Sequence, residues 1–171
     1  VLDFAAIDQQ RSTIQELTQH LTPADLAALT NEMIDAMLAR LEGCEDADVT
    51  FVPVDPEAND TYAANAEDLA LPWTLGHVVV HVTASSEEAA FLAAELARGV
   101  ELHGRSRYEV AWPDVTTLPQ CRHRLEESRR MRLASLQLWP DAPHYETVYV
   151  SARWGGEFDA RARFSFGLWH D

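Results

Sequence analysis

The segment that most constrains the fold is LTPADLAALTNEMIDAMLARLEGC at residues 21–44, which carries its own helix start and stop signals. Thr22 suits the N-cap, Pro23 the first helical position, and Gly43 the residue after the end of a helix. Apolar side chains recur at spacings of three and four: Leu26, Leu29, Met33, Met37 and Leu41. This spacing predicts an amphipathic helix.

Further helices are predicted along the chain. One continuous helix is expected over 75–98, stopped by Gly99. A capping-box pattern at Thr117 and Gln120 predicts another that runs to about Leu138. Residues 4–20 suit a polar first helix and residues 44–72 a long loop. The stretch 144–166 fits either a hairpin at Gly155-Gly156 or a helix, and a connector followed by a final helix from about Asp159 is favoured.

These segments predict an all-α fold, a four-helix bundle with an extra N-terminal helix and long connectors. A length of 171 residues suits a single domain over 1–171, with 1–21 as an N-terminal extension. The net charge of −15 argues against nucleic-acid binding. The sequence has no apolar run long enough to span a membrane, no export signal and no CxxC motif, so a reducing cytoplasm is expected. Cys44 and Cys121 are expected to be buried apolar side chains.

Two histidines stand in the otherwise apolar stretch PWTLGHVVVHVTAS at residues 72–85. Three consecutive valines there favour a strand, but a helix that begins after Thr74 is the simpler prediction. On a helix, His77 and His81 lie one turn apart and could bind one metal ion. The zincin pattern is absent because Val78 stands where the catalytic Glu would be. The alternative is a pair of hydrogen-bonded core histidines.

The segment WTLGHVVVHVTAS resembles the start of the second helix of the DinB/YfiT-like superfamily, in which a Trp and a Ser or Thr precede a ligand histidine. Trp73, Thr74 and His81 match that frame. The resemblance implies a four-helix bundle with a divalent metal, Zn or Ni, held at one end by three His. It assigns His81 as the helix-two ligand and His170 as the first of a C-terminal pair. The second member would fall near position 173 or 174, past Asp171, so the third ligand is either outside this chain or His77.

The resemblance also implies a function, a metal-dependent transferase, isomerase or hydrolase acting on a small molecule, with a low-molecular-weight thiol as co-substrate. A non-catalytic, dimeric or stress-associated helical bundle is the alternative. Seven arginines between positions 105 and 132 favour either an anion or thiol-cofactor site or a salt-bridged helix face, with Glu126 paired to Arg130.

Overall fold

The computed structural model describes residues 2–60, 66–104, 110–151 and 156–170. Within these ranges the α-helices are α1 (Ala5–Asp8), α2 (Ile14–Thr18), α3 (Pro23–Arg40), α4 (Asp46–Thr50), α5 (Leu75–Ala97), α6 (Leu118–Leu136) and α7 (Ala160–Trp169). Two short strands are β1 (Tyr149–Val150) and β2 (Glu157–Phe158). Short 3₁₀ turns occupy Ala66–Asp68 and Trp112–Asp114.

The four longest helices form the bundle. Helix α5 packs along α7 and α6, and α3 packs against the same two helices. Helices α3 and α5 therefore occupy diagonal corners. The chain is all-α apart from the two-residue strands, which confirms the predicted fold class. No helix in the described ranges combines the length and apolar character needed to cross a bilayer.

Local capping fixes where the bundle helices begin. Thr22 caps α3 and exchanges bonds with Asp25, while Thr117 does the same with Gln120 at α6. Both capping boxes satisfy backbone N–H groups that a helix leaves unpaired at its start. Helix α3 ends at Arg40, a few residues before Gly43, whose φ of +82° suits glycine.

The prediction of one N-terminal helix over 4–20 is wrong. Two short helices stand there, and Gln10 between them has a φ of +56°, which interrupts a right-handed helix. The second helix begins at a capping box formed by Thr13 and Glu16. Local hydrogen bonding thus divides a segment whose sparse apolar residues suggested one continuous element.

The predicted loop over 44–72 is partly helical, because α4 lies within it. Val49 on α4 is fully buried among the side chains of α3, α5 and α6. Asp46 at the start of α4 accepts a 2.7 Å bond from the backbone N–H of Leu118, which ties the segment to the start of α6. Tertiary packing therefore stabilises a helix too short for periodicity to reveal.

The segment before α7 contains both structures that the sequence allowed. Tyr149 pairs with Phe158 and Val150 with Glu157 in an antiparallel ribbon, and α7 follows directly. The predicted turn at Gly155-Gly156 falls partly outside the described residues, which resume at Gly156. The favoured prediction of a final helix from about Asp159 is confirmed, since Asp159 is its N-cap.

Candidate metal centre

Helix α5 carries His77 and His81 in one unbroken helix, as predicted. The Thr74 side chain caps it by accepting a 3.2 Å bond from the backbone N–H of His77. The neighbouring Val79 and Val80 are buried in the bundle. Their packing stabilises a helix here, although valine by itself prefers a strand. The two imidazoles therefore lie one turn apart on α5.

Helix α7 brings His170 to the start of α5. Its N-cap is the buried Asp159, which accepts backbone bonds from Arg161 at 2.8 Å and Ala162 at 3.0 Å. Close to its other end, a Cβ on Gly167 would lie 2.8 Å from the Cα of Ser86 on α5. The two backbones thus approach closely in an antiparallel arrangement, and His170 is the exposed C-cap of α7.

The imidazole rings of His81 and His170 are neighbours, with ring centroids 6.0 Å apart and planes inclined by 38°. A ring bound to zinc has its centroid roughly 3.2 Å from the ion, because Zn–N is about 2.1 Å. Two rings on one ion can therefore be at most roughly 6.4 Å apart. The observed 6.0 Å lies inside that limit but exceeds the roughly 5.2 Å between two rings on a tetrahedral ion, so the rings would have to move slightly closer to share a zinc ion.

His77 lies in an aromatic stack. Its centroid is 4.6 Å from that of Trp112, with nearly parallel rings, and also 4.6 Å from Trp73. Trp73 makes a second 4.6 Å contact with His81. The structure therefore brings His81 and His170 together, and joins His77 to them through the indole of Trp73.

Trp112 is the site residue that sequence reasoning missed. It lies in a connector, in the turn Trp112–Asp114, and its aromatic character alone does not predict a contact with His77. The turn reaches α5 because Gly76 has no side chain: a Cβ there would lie 2.3 Å from the carbonyl oxygen of Val115. In the sequence, Gly76 beside His77 was the one sign that another segment could approach the helix closely at this point.

The seam between α5 and α7 continues past the histidines as an aromatic and charged cluster. Phe166 stacks on His170, with ring centroids 5.2 Å apart. The guanidinium carbon of Arg163 lies over the same Phe166 ring, 5.2 Å from its centroid. Burial lowers the pKa of Arg163, and the nearby Glu88 and Tyr149 oppose that shift. The site therefore has a cation within the α5–α7 seam as well as its imidazoles.

Arg124, Arg129 and Arg130 of α6 form ion pairs, as in the salt-bridged face that was one of the two interpretations. Glu126 pairs with Arg129, at 2.9 Å, and not with Arg130 as predicted; Arg130 pairs with Glu127 at 2.6 Å. Side chains three apart on a helix meet as readily as those four apart, which accounts for the shifted register. Arg124 pairs with Glu87 on α5. Arg105 and Arg107 lie outside the described residues.

The cysteines agree with the expectation only in part. Cys121 is fully buried, and burial raises the pKa of its thiol. Cys44 is half-exposed and contacts the backbone carbonyl of Arg40. Within the described ranges, no group of three or more His, Cys, Asp and Glu side chains is arranged to hold a metal ion. The structure thus brings His81 and His170 near one another without forming a three-histidine group with His77 among the described residues.

Comparison with known protein families places the chain beside one of them. Neither the curated proteins nor the solved structures contain a match to this chain. The sequence model of the DinB superfamily matches residues 29–171, a range that begins within α3 and includes His77, His81 and His170. The chain therefore belongs to the DinB superfamily.

Proposed function

We propose that this DinB superfamily member is a metal-dependent enzyme in which His81 and His170 hold a divalent ion, Zn²⁺ or Ni²⁺, with His77 as third ligand or immediate neighbour. The single observation that carries the proposal is the 6.0 Å separation of the His81 and His170 rings, from helices far apart in sequence. Two imidazoles on rigid helices are a donor type that both ions accept.

The surroundings support a site that a small molecule can reach. His170 is exposed at the end of α7, whereas His77 and His81 are half-buried against Trp73. The indoles hold the α5 imidazoles in fixed orientations, which spares the entropy of ordering them on binding. Because His170 is exposed, a small molecule could approach an ion held there from the solvent side.

The reaction class follows from what such an ion supplies. A bound divalent ion lowers the pKa of a coordinated thiol or water, so that a nucleophile exists at neutral pH. This supports an S-transferase or isomerase that uses a low-molecular-weight thiol, or a hydrolase, acting on a small molecule. Trp73 and Phe166 would exclude water from one side of the reacting group.

A non-catalytic helical module, acting as a dimer, is the second candidate. It is favoured by the absence, among the residues that the structure describes, of a three-donor group suited to a metal. In that case the histidines would be structural members of the aromatic stack. Measured metal content separates the two candidates.

The test is zinc and nickel binding by calorimetry and by metal analysis of the purified chain. The wild type should bind one ion, and His81→Ala and His170→Ala should each abolish stoichiometric binding, because each removes one of two ring donors. His20→Ala is the control, since His20 is exposed near the start of α3. His77→Ala should reduce affinity by about 10–100-fold if its role is to ligate or orient.

Stoichiometric metal in His81→Ala would refute the assignment. So would a wild-type chain that binds neither ion, and that result would favour the non-catalytic module. Circular dichroism of each variant establishes that lost binding does not reflect lost folding.

A further inference from the structure

A groove with a volume of about 630 Å³ lies between the diagonal helices α3 and α5. Its walls are Leu29, Met33 and Met37 from α3 and Val78 and Val82 from α5. Leu125 of α6 and Leu168 of α7 also contribute to the lining. The volume is in the range of natural small-molecule sites, and the lining is mostly apolar, as such sites are.

The groove is distinct from the candidate metal centre. Val78 and Val82 follow His77 and His81 directly in sequence, so each is turned by about 100° around the α5 axis from the preceding histidine. Val78 is 38% exposed, which shows that this apolar surface is accessible to solvent. Methionine side chains such as Met33 and Met37 adapt to ligands of different shape.

The rim of the groove carries one basic and one acidic side chain at different positions along α3. Arg40 and Glu32 line it from α3, two turns apart, and both are exposed. In the described ranges Arg40 forms no ion pair; its guanidinium donates a 3.0 Å bond to the backbone carbonyl of Ala36. Leu75, at the start of α5, lines the same end, where the helix dipole is positive.

We propose that the groove binds an aliphatic carboxylate of medium chain length, with its carboxylate at Arg40 and its alkyl chain directed toward Leu29. Glu32 repels an anion from the other part of the rim, which sets this orientation. Leu29 and Arg40 are about 16 Å apart along the axis of α3, enough for an extended chain of about ten carbons. The proposal goes beyond the metal centre, since none of its contacts involves His81 or His170.

The test is calorimetric titration of the metal-free chain with decanoate, and with 1-octanol as an uncharged comparison. Ala36→Trp should weaken decanoate binding by about tenfold or more, because Ala36 lines the groove and an indole would fill it. Ala39→Trp is the matched control: Ala39 is exposed on the same helix and does not line the groove. Arg40→Gln should weaken decanoate binding by roughly two- to fivefold and leave 1-octanol binding unchanged.

The absence of decanoate binding to the wild type at millimolar concentration would overturn the proposal. So would equal affinities in Ala36→Trp and Ala39→Trp, or equal losses for both ligands in Arg40→Gln. Analytical ultracentrifugation adds a further outcome: a wild-type dimer that Ala36→Trp dissociates would show that the groove is an interface between copies. Zinc binding measured on the same variants should be unaffected, which keeps failure of this proposal separate from failure of the metal centre.

Discussion

At the scale of single residues, Arg132 of α6 is the side chain that joins the bundle most directly. It is fully buried, and its guanidinium donates to the Ser86 carbonyl on α5 at 2.7 Å and to the Phe164 carbonyl on α7 at 3.3 Å. Its Nε lies 3.4 Å from the Thr30 hydroxyl on α3, and its Cζ lies 4.2 Å from the Phe164 ring centroid. One planar donor group therefore contacts all three other bundle helices.

We predict that Arg132→Met lowers the free energy of unfolding by about 2 kcal/mol, because charge-assisted bonds between helices are lost and a polar gap remains. Arg130→Met is the matched control, since Arg130 is exposed on the same helix and pairs only across one turn with Glu127. Its loss should stay below about 0.5 kcal/mol. Urea unfolding of both variants measures the difference, and equal losses would contradict this role of Arg132.

At the scale of secondary-structure elements, α6 depends on its first turn. The Gln120 N–H donates to the Thr117 hydroxyl, and the Gln120 side chain accepts bonds from the backbone N–H groups of Thr116 and Thr117 at 2.9 Å each. This box fixes the start of a helix whose Cys121 and Leu125 are buried. Leu118 and Leu136 pack against the core near its two ends, so capping and apolar packing together define the helix.

We predict that Thr117→Ala lowers the free energy of unfolding by roughly 1 kcal/mol, through loss of the N-cap hydroxyl. Thr116→Ala serves as the control, because the bond from Thr116 to Gln120 uses its backbone N–H and survives the substitution. The urea midpoint should shift for Thr117→Ala and stay nearly constant for Thr116→Ala. An unchanged midpoint for Thr117→Ala would show that the hydroxyl does not stabilise α6.

At the scale of the whole molecule, net charge opposes compactness. The 28 acidic residues outnumber the 13 basic ones, all arginine, and the net charge at pH 7 is −15. Ion pairs such as Arg129 with Asp35 offset only part of this repulsion. Exposed charges that repel over distances near 10 Å are screened by moderate salt, whereas the buried contacts of the bundle are not.

We predict that raising NaCl from 0.02 to 0.3 M increases the melting temperature at pH 7 by about 2–4 °C. That shift corresponds to about 1 kcal/mol for a chain of this length. The added salt shortens the Debye length from roughly 20 Å to roughly 6 Å and so screens the repulsion between exposed carboxylates. The control is the same scan near pH 4.7, the sequence isoelectric point, where the salt effect should largely disappear. A melting temperature that falls with salt at pH 7 would show that local ion pairs outweigh the general repulsion.

The sequence by itself determined where the main helices begin and the class of fold they build. Thr22, Thr117 and Asp159 cap helices through bonds to residues two or three positions away, so these starts can be predicted from neighbouring residues alone. The prediction that His81 and His170 lie near one another came from their resemblance to a known family, and the structure places their rings 6.0 Å apart.

Tertiary structure decided what periodicity and local capping do not encode. Gly167 permits the close crossing that places His170 6.0 Å from His81, and Gly76 admits the turn that stacks Trp112 on His77. Each contact joins segments far apart in the chain, so it depends on backbone approach between helices and not on local propensity. The division between α1 and α2, the burial of Val49 and the groove between α3 and α5 have the same origin. The free energy of packing the whole bundle selects them, and no single segment contains that information.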